Sequence, residues 1–145
     1  MKKIALITGA TSGIGEACAK KFAAGGYDLI ITARRADKLA AIQAELEAMG
    51  ANVKSLVFDV QDAAACKQAI ESLDAEWSKV AVLINNAGLA LGLEKEYEGD
   101  LEDWSTMIDT NIKGLLTMTR LVVPGMVERN NGHIINIGSV AGDVA

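Results

Sequence analysis

Five short apolar runs punctuate the chain: Ile4–Thr8, Leu29–Thr32, Val53–Phe58, Val80–Asn85 and His133–Ile137. Each is rich in Val, Ile and Leu and largely continuous rather than alternating, which is how strands buried on both faces read. Between them lie stretches with apolar residues at helical spacing: Gly13–Ala24, Ala36–Met49, Asp62–Leu73 and Leu101–Arg129. In the second, Leu39, Ile42, Leu46 and Met49 share a face while Lys38, Glu45 and Glu47 fall elsewhere. Gly25-Gly26 and Gly50 stand where helices should end, and Asp37 and Asp62 where helices should begin. Strand–helix alternation with short connections predicts parallel βαβ units with right-handed crossovers.

The expected fold is therefore α/β: a Rossmann-type doubly wound parallel sheet with strand order 3-2-1-4-5. Residues 1–145 read as one dinucleotide-binding domain, without a linker or repeat. In such a sheet ligands bind at the carboxyl ends of the strands beside the switch between strands 1 and 4. The residues found there are suggestive. Strand 1 runs into Thr8-Gly9-Ala10-Thr11-Ser12-Gly13-Ile14-Gly15, and that turn opens the first helix. Unpaired N–H groups and the helix dipole favour an anion at such a helix start, and glycine lets a pyrophosphate approach the backbone. A glycine-rich turn can also be a plain structural corner. Three residues, rather than one, separate Gly9 from Gly13, a departure from the standard dinucleotide fingerprint.

Composition narrows the field. Half of the 145 residues are hydrophobic, 23% are charged and the net charge is −5. No apolar run approaches the roughly 20 residues of a membrane span, and no basic patch with interleaved aromatics suggests nucleic acid. Cys18 and Cys66 fall in helix-patterned segments and read as small buried residues of a reduced, cytoplasmic protein. With a single histidine, His133, and no Cys/His cluster, no metal site is expected.

Strand 4 ends in Asn85-Asn86-Ala87-Gly88. With the Thr8-led glycine turn, this second motif resembles the short-chain dehydrogenase/reductase family, and the resemblance spans the chain. Asp59-Val60 after strand 3, Asn111 within Asp109–Gly114, and Gly138-Ser139 after strand 5 match as well. Asn85–Leu93, Asp103–Gly114 and Pro124–Gly138 are similar to the branch of serine and 3-hydroxy acid dehydrogenases, which includes malonic semialdehyde reductases. The resemblance implies a dinucleotide cradle formed by Gly9, Thr11, Ser12, Gly13, Ile14, Gly15, Asp59, Val60, Asn86, Ala87 and Gly88, with Asp59 accepting from the adenine amino group. It implies a small hydroxy or carbonyl substrate and a homo-oligomer, a dimer or tetramer.

The end of strand 2 bears on which dinucleotide. A carboxylate there would hydrogen-bond the ribose 2′-hydroxyl of NAD and repel the 2′-phosphate of NADP. Here the sequence is Thr32-Ala33-Arg34-Arg35: no acid, and two guanidinium groups suited to a phosphate. NADP is expected over NAD, with Thr11 and Ser12 adding hydroxyls. The alternative is that both arginines flank a solvated helix start.

The family's catalytic groups are Asn, Ser, Tyr and Lys. By resemblance, Asn111 holds a helix kink and a water through its backbone, and Ser139 bonds the substrate oxygen. The family's Tyr-x-x-x-Lys follows the serine, but the only tyrosines here are Tyr27 and Tyr97, neither with lysine four residues on. The expectation is an amino-terminal part of a longer reductase, its domain incomplete at the carboxyl end. Two alternatives stand beside it: a cofactor-binding module without turnover, and a fragment that associates with intact subunits. The long fourth helix looks too apolar for solvent, with Pro124 expected to kink it. The loop Leu89–Gly99, with Glu94, Glu96 and Glu98, is expected to border the site.

Overall fold

The computed structural model describes residues 1–89, 91 and 95–138. Its strands are β1 (Ile4–Thr8), β2 (Asp28–Ala33), β3 (Val53–Val57), β4 (Val80–Asn85) and β5 (His133–Asn136). They form one parallel sheet in the order β3-β2-β1-β4-β5, as the alternation predicts. The helices are α1 (Gly13–Ala24), α2 (Ala36–Ala48), α3 (Ala63–Glu71), α4 (Leu101–Ile108) and α5 (Leu115–Arg129).

Alternate residues of β1 feed two cores. Ala5 and Ile7 join Leu29, Ile31, Ala19, Leu39 and Leu46 on the face covered by α1 and α2. Ile4 and Leu6 join Ile30, Leu83, Cys66, Met118 and Val122 on the face covered by α3 and α5. Both faces of the central strands are thus buried, which is why their sequences are continuously apolar.

Four expectations need correction. The segment read as one long helix is two, joined by a π-helical turn over Asp109–Gly114, and α5 runs unbroken through Pro124. The irregularity falls at the site-facing end rather than at the proline. Asp37 does not cap α2; the cap position is Arg35, and Asp37 sits in the first turn 3.8 Å from its guanidinium. Asp62 does cap α3, accepting from the Ala65 N–H at 3.1 Å. Cys66 is buried but Cys18 only half so. Finally, β5 is not buried: His133, Ile134 and Asn136 are exposed, because among the described residues it pairs with β4 alone.

The apolar excess of the stretch Leu101–Arg129 is partly accounted for. Met118, Val122 and Met126 face the sheet, while Ile108, Ile112 and Leu116 stand about half exposed. Among the described residues no helix is long and apolar enough to cross a membrane.

Candidate functional site

The switch point is held together by one hydroxyl. Thr8 ends β1 and is 1% exposed. Its Oγ1 accepts from the backbone N–H groups of Asn86 (3.0 Å) and Ala87 (2.9 Å), and donates to the Ile84 carbonyl at 3.5 Å. In return the Asn86 side chain donates to the Gly9 carbonyl at 3.0 Å. Four backbone groups, the N–H groups of Asn86 and Ala87 and the carbonyls of Ile84 and Gly9, thereby gain partners.

Two glycines permit this closeness. Gly9 has φ +63°, and a Cβ there would lie 3.0 Å from the Ala87 Cα. A Cβ on Gly15 would strike the Gly9 carbonyl and the Asn86 amide. The turn therefore folds back on itself before entering α1. Ser12 occupies the α1 cap position with no side-chain capping bond, unlike Asp62 on α3 and Asp100 on α4. The first turn of α1 keeps its positive end open toward the space above the sheet.

That space is a cleft of about 360 Å³. Gly9, Thr11, Ser12 and Ile14 line one side; Asn86, Ala87 and Gly88 line another; Arg34, Asp59 and Val60 complete it. Ten of the residues marked from the sequence therefore share one cleft. Gly15 lies buried behind the turn and Gly13 is exposed with φ +56°; neither lines the cleft. Arg35 does not line it. Ser139 lies outside the described residues, as does part of the loop Leu89–Gly99, including Glu94.

Asp59 spends one carboxylate oxygen on the Gln61 N–H (2.9 Å). Behind this turn, Cys66 directs its thiol at the carbonyls of Asp59 and Val60, both at 3.7 Å. Burial pushes that thiol up to about 11, with the carboxylates of Asp62 and Asp59 adding to the shift. Asn111 sits in the π-helical turn and clasps the backbone of Leu89 from both ends. Its Nδ2 donates to the Leu89 carbonyl (2.8 Å) and its Oδ1 accepts from the Leu89 N–H (2.9 Å). Its side chain thus fixes the segment after Gly88, a use the sequence did not suggest.

Leu89, the start of the loop expected to border the site, does line the cleft; sequence reasoning passed over Phe58, Gln61 and Thr110, which line it as well. Gln61 immediately follows a marked motif and could have been included on that ground. Thr110 lies inside the matched segment Asp109–Gly114, but only the π-helical turn brings it to the wall. Among the described residues no group of His, Cys, Asp or Glu could hold a metal ion.

The short-chain dehydrogenase family model matches residues 3–145. The NADP-dependent 3-hydroxy acid dehydrogenase YdfG of Salmonella typhi is 55% identical over 139 residues, covering 96% of this chain and 55% of the relative. The crystal structure of serine dehydrogenase from Escherichia coli superposes with a TM-score of 0.92 at 51% identity, over 98% of this chain and 64% of that one. A closed form of serine dehydrogenase complexed with NADP+ gives 0.91 at 51% identity, over 97% of this chain and 55% of that one. The chain spans about half the length of the curated relatives it matches.

Proposed function

The chain belongs to the short-chain dehydrogenase family, and from that premise we propose an oxidoreductase whose cleft holds NADP and that moves hydride between NADP and a hydroxyl or carbonyl substrate. The substrate class we infer is a small 3-hydroxy acid or its semialdehyde, in line with the names of the Salmonella and Escherichia coli proteins. The observation that carries the reading is the convergence of Gly9, Asn86–Gly88 and Arg34 on one cleft, with Thr8 bracing the first two from below.

The residues present fit such a cofactor. Gly15 leaves open the close turn that any Cβ would fill, and the uncapped start of α1 offers N–H donors to a pyrophosphate. Arg34 is exposed at the cleft while Arg35 turns to Asp37. Arg34 is therefore the guanidinium for the 2′-phosphate, and Ala33 leaves no carboxylate to repel it. The free oxygen of Asp59 suits an amino group of adenine.

When bound, nicotinamide supplies or takes the hydride. The chain's own part is to bind and orient it. Asn86 and Thr8 fix the floor, Asn111 holds Leu89 at the rim, and Ser139 would hold the substrate oxygen. Tyr27 packs edge-on against Phe22 at 4.9 Å, Tyr97 is exposed, and neither lines the cleft. The reading of a binding module without turnover has less support, because the relatives above are named as dehydrogenases.

The half-exposed Ile108, Ile112 and Leu116 support self-association as a homo-oligomer. Cysteines left free support a cytoplasmic location.

Titration calorimetry tests the cofactor assignment. NADP is expected to bind more tightly than NAD. Arg34→Ala is expected to weaken NADP by about tenfold or more and leave NAD unchanged. Equal affinities in the parent chain would sink the assignment.

A further inference from the structure

Thr110 precedes Asn111 in the π-helical turn and lines the cleft. It is 5% exposed, and its hydroxyl has no hydrogen-bond partner among the described residues. A threonine in a helix ordinarily bonds a carbonyl one turn back, as Thr119 does to Leu115 at 2.8 Å. Thr110 lies where the regular ladder is interrupted, a kind of turn found often at functional sites. A sealed hydroxyl without a partner is unfavourable, so its retention needs a reason.

The neighbourhood supplies one. Gly114, in the same turn, packs directly on Val60, so this turn lies against the Asp59–Val60 end of the cleft. Asn111 anchors its other side to Leu89. Thr110 thus sits between the wall that follows β3 and the wall that follows β4. In a doubly wound sheet the β2–β3 side of the switch point takes the adenosine half of a dinucleotide.

We propose that Thr110 is a cofactor-binding residue whose hydroxyl hydrogen-bonds the adenosine half of the bound dinucleotide. Rotation about its Cα–Cβ bond exchanges hydroxyl and methyl at almost no change in volume. A hydroxyl sealed in the free protein can therefore turn to a ring nitrogen or ribose oxygen when one arrives. This assignment rests on the cofactor reading above.

Thr110→Val removes the hydroxyl and keeps the shape; Thr110→Ser keeps the hydroxyl. Both are titrated in the 145-residue chain with NADP+, 2′,5′-ADP and nicotinamide mononucleotide, and melted without ligand. The Val variant is expected to bind NADP+ and 2′,5′-ADP about fivefold more weakly. Its binding of nicotinamide mononucleotide is expected to be unchanged, and its ligand-free melting temperature raised. The Ser variant is expected to stay within about twofold of the parent. Parent-like binding of NADP+ and 2′,5′-ADP by the Val variant overturns the role of Thr110 alone. Should the Val variant not fold, Thr110→Ala is read by the same criterion. A parent chain that binds neither ligand overturns the cofactor reading, and this assignment with it.

Discussion

β1 and β5 lie near each other in one sheet, and β4 pairs with both. β1 has a strand on either edge and a core on either face, and every one of its residues is buried. β5 has one strand partner, and three of its four residues are exposed. β5 is the less apolar of the two, but even its Ile134 is 38% exposed where Ile4 and Ile7 of β1 are buried, so neighbours as well as composition decide burial. The same contrast extends to polar chemistry. Thr8, at the end of β1, can offer one oxygen to two backbone N–H groups because every surrounding atom is already fixed. At β5, Asn136 accepts a single bond from Asn85, whose own Oδ1 stays unpartnered among the described residues. The proposed cofactor cleft is built where the backbone is over-determined, and the edge strand carries the less finished contacts.

Four measurements would break or sharpen that contrast. The largest effect is expected from Gly15→Ala. Its new methyl group meets the Gly9 carbonyl and the Asn86 amide, neither of which can retreat. NADP affinity should fall by about a hundredfold, and urea unfolding should show about 2–3 kcal/mol of lost stability. Retained binding would mean the cradle is softer than its contacts imply.

Next comes Thr8→Val, which leaves the partly buried N–H groups of Asn86 and Ala87 without their acceptor. A cost of about 2 kcal/mol is expected in the urea midpoint at unchanged slope. A cost near zero would show that the β1–β4 junction is not held by this hydroxyl.

A matched pair measures the contrast itself. Ile7→Val deletes a methylene at 0% exposure and should cost about 1 kcal/mol. Ile134→Val makes the same deletion at 38% exposure and should stay within about 0.5 kcal/mol. Equal costs would mean that β5 is covered in solution.

The smallest effect is a pH dependence on the buried side. The Cys66 thiol is raised from 9.0 to about 11, so the native state holds this proton more tightly than the unfolded chain. Its contribution is complete below pH 9.0 and is lost as pH rises through about 11. Urea midpoints taken across that window should fall more steeply in the parent than in Cys66→Ala. Parallel curves would remove Cys66 from the account.

Much of this was legible in the chain. Ile4–Thr8 and Val80–Asn85 match β1 and β4 residue for residue, because buried parallel strands leave continuous apolar runs. The glycine turn and Asn86–Gly88 were legible because few residue types tolerate such close approach. Three things were not. The exposure of β5 depends on which strands flank it, information its own residues do not carry. Arg34 and Arg35 are adjacent and alike, yet a capping position and Asp37 draw only one of them away. The π-helical turn has no composition of its own, so the helical period ran straight through it and hid Thr110. Pro124 drew attention because proline breaks helices in general, but α5 accommodates it.

The bonds from Thr8 to Asn86 and Ala87 join residues 78 and 79 positions apart. The cradle is therefore not a local motif that can form when the glycine turn leaves the ribosome. It is completed only after β2, β3 and three helices have been made and β4 has docked beside β1. Until then the nascent chain has a glycine turn with no floor. Cofactor in the cell can stabilise only chains that have already closed this long-range contact. Such a ligand acts late in biogenesis, as a ratchet on finished sheets rather than as a template for their assembly.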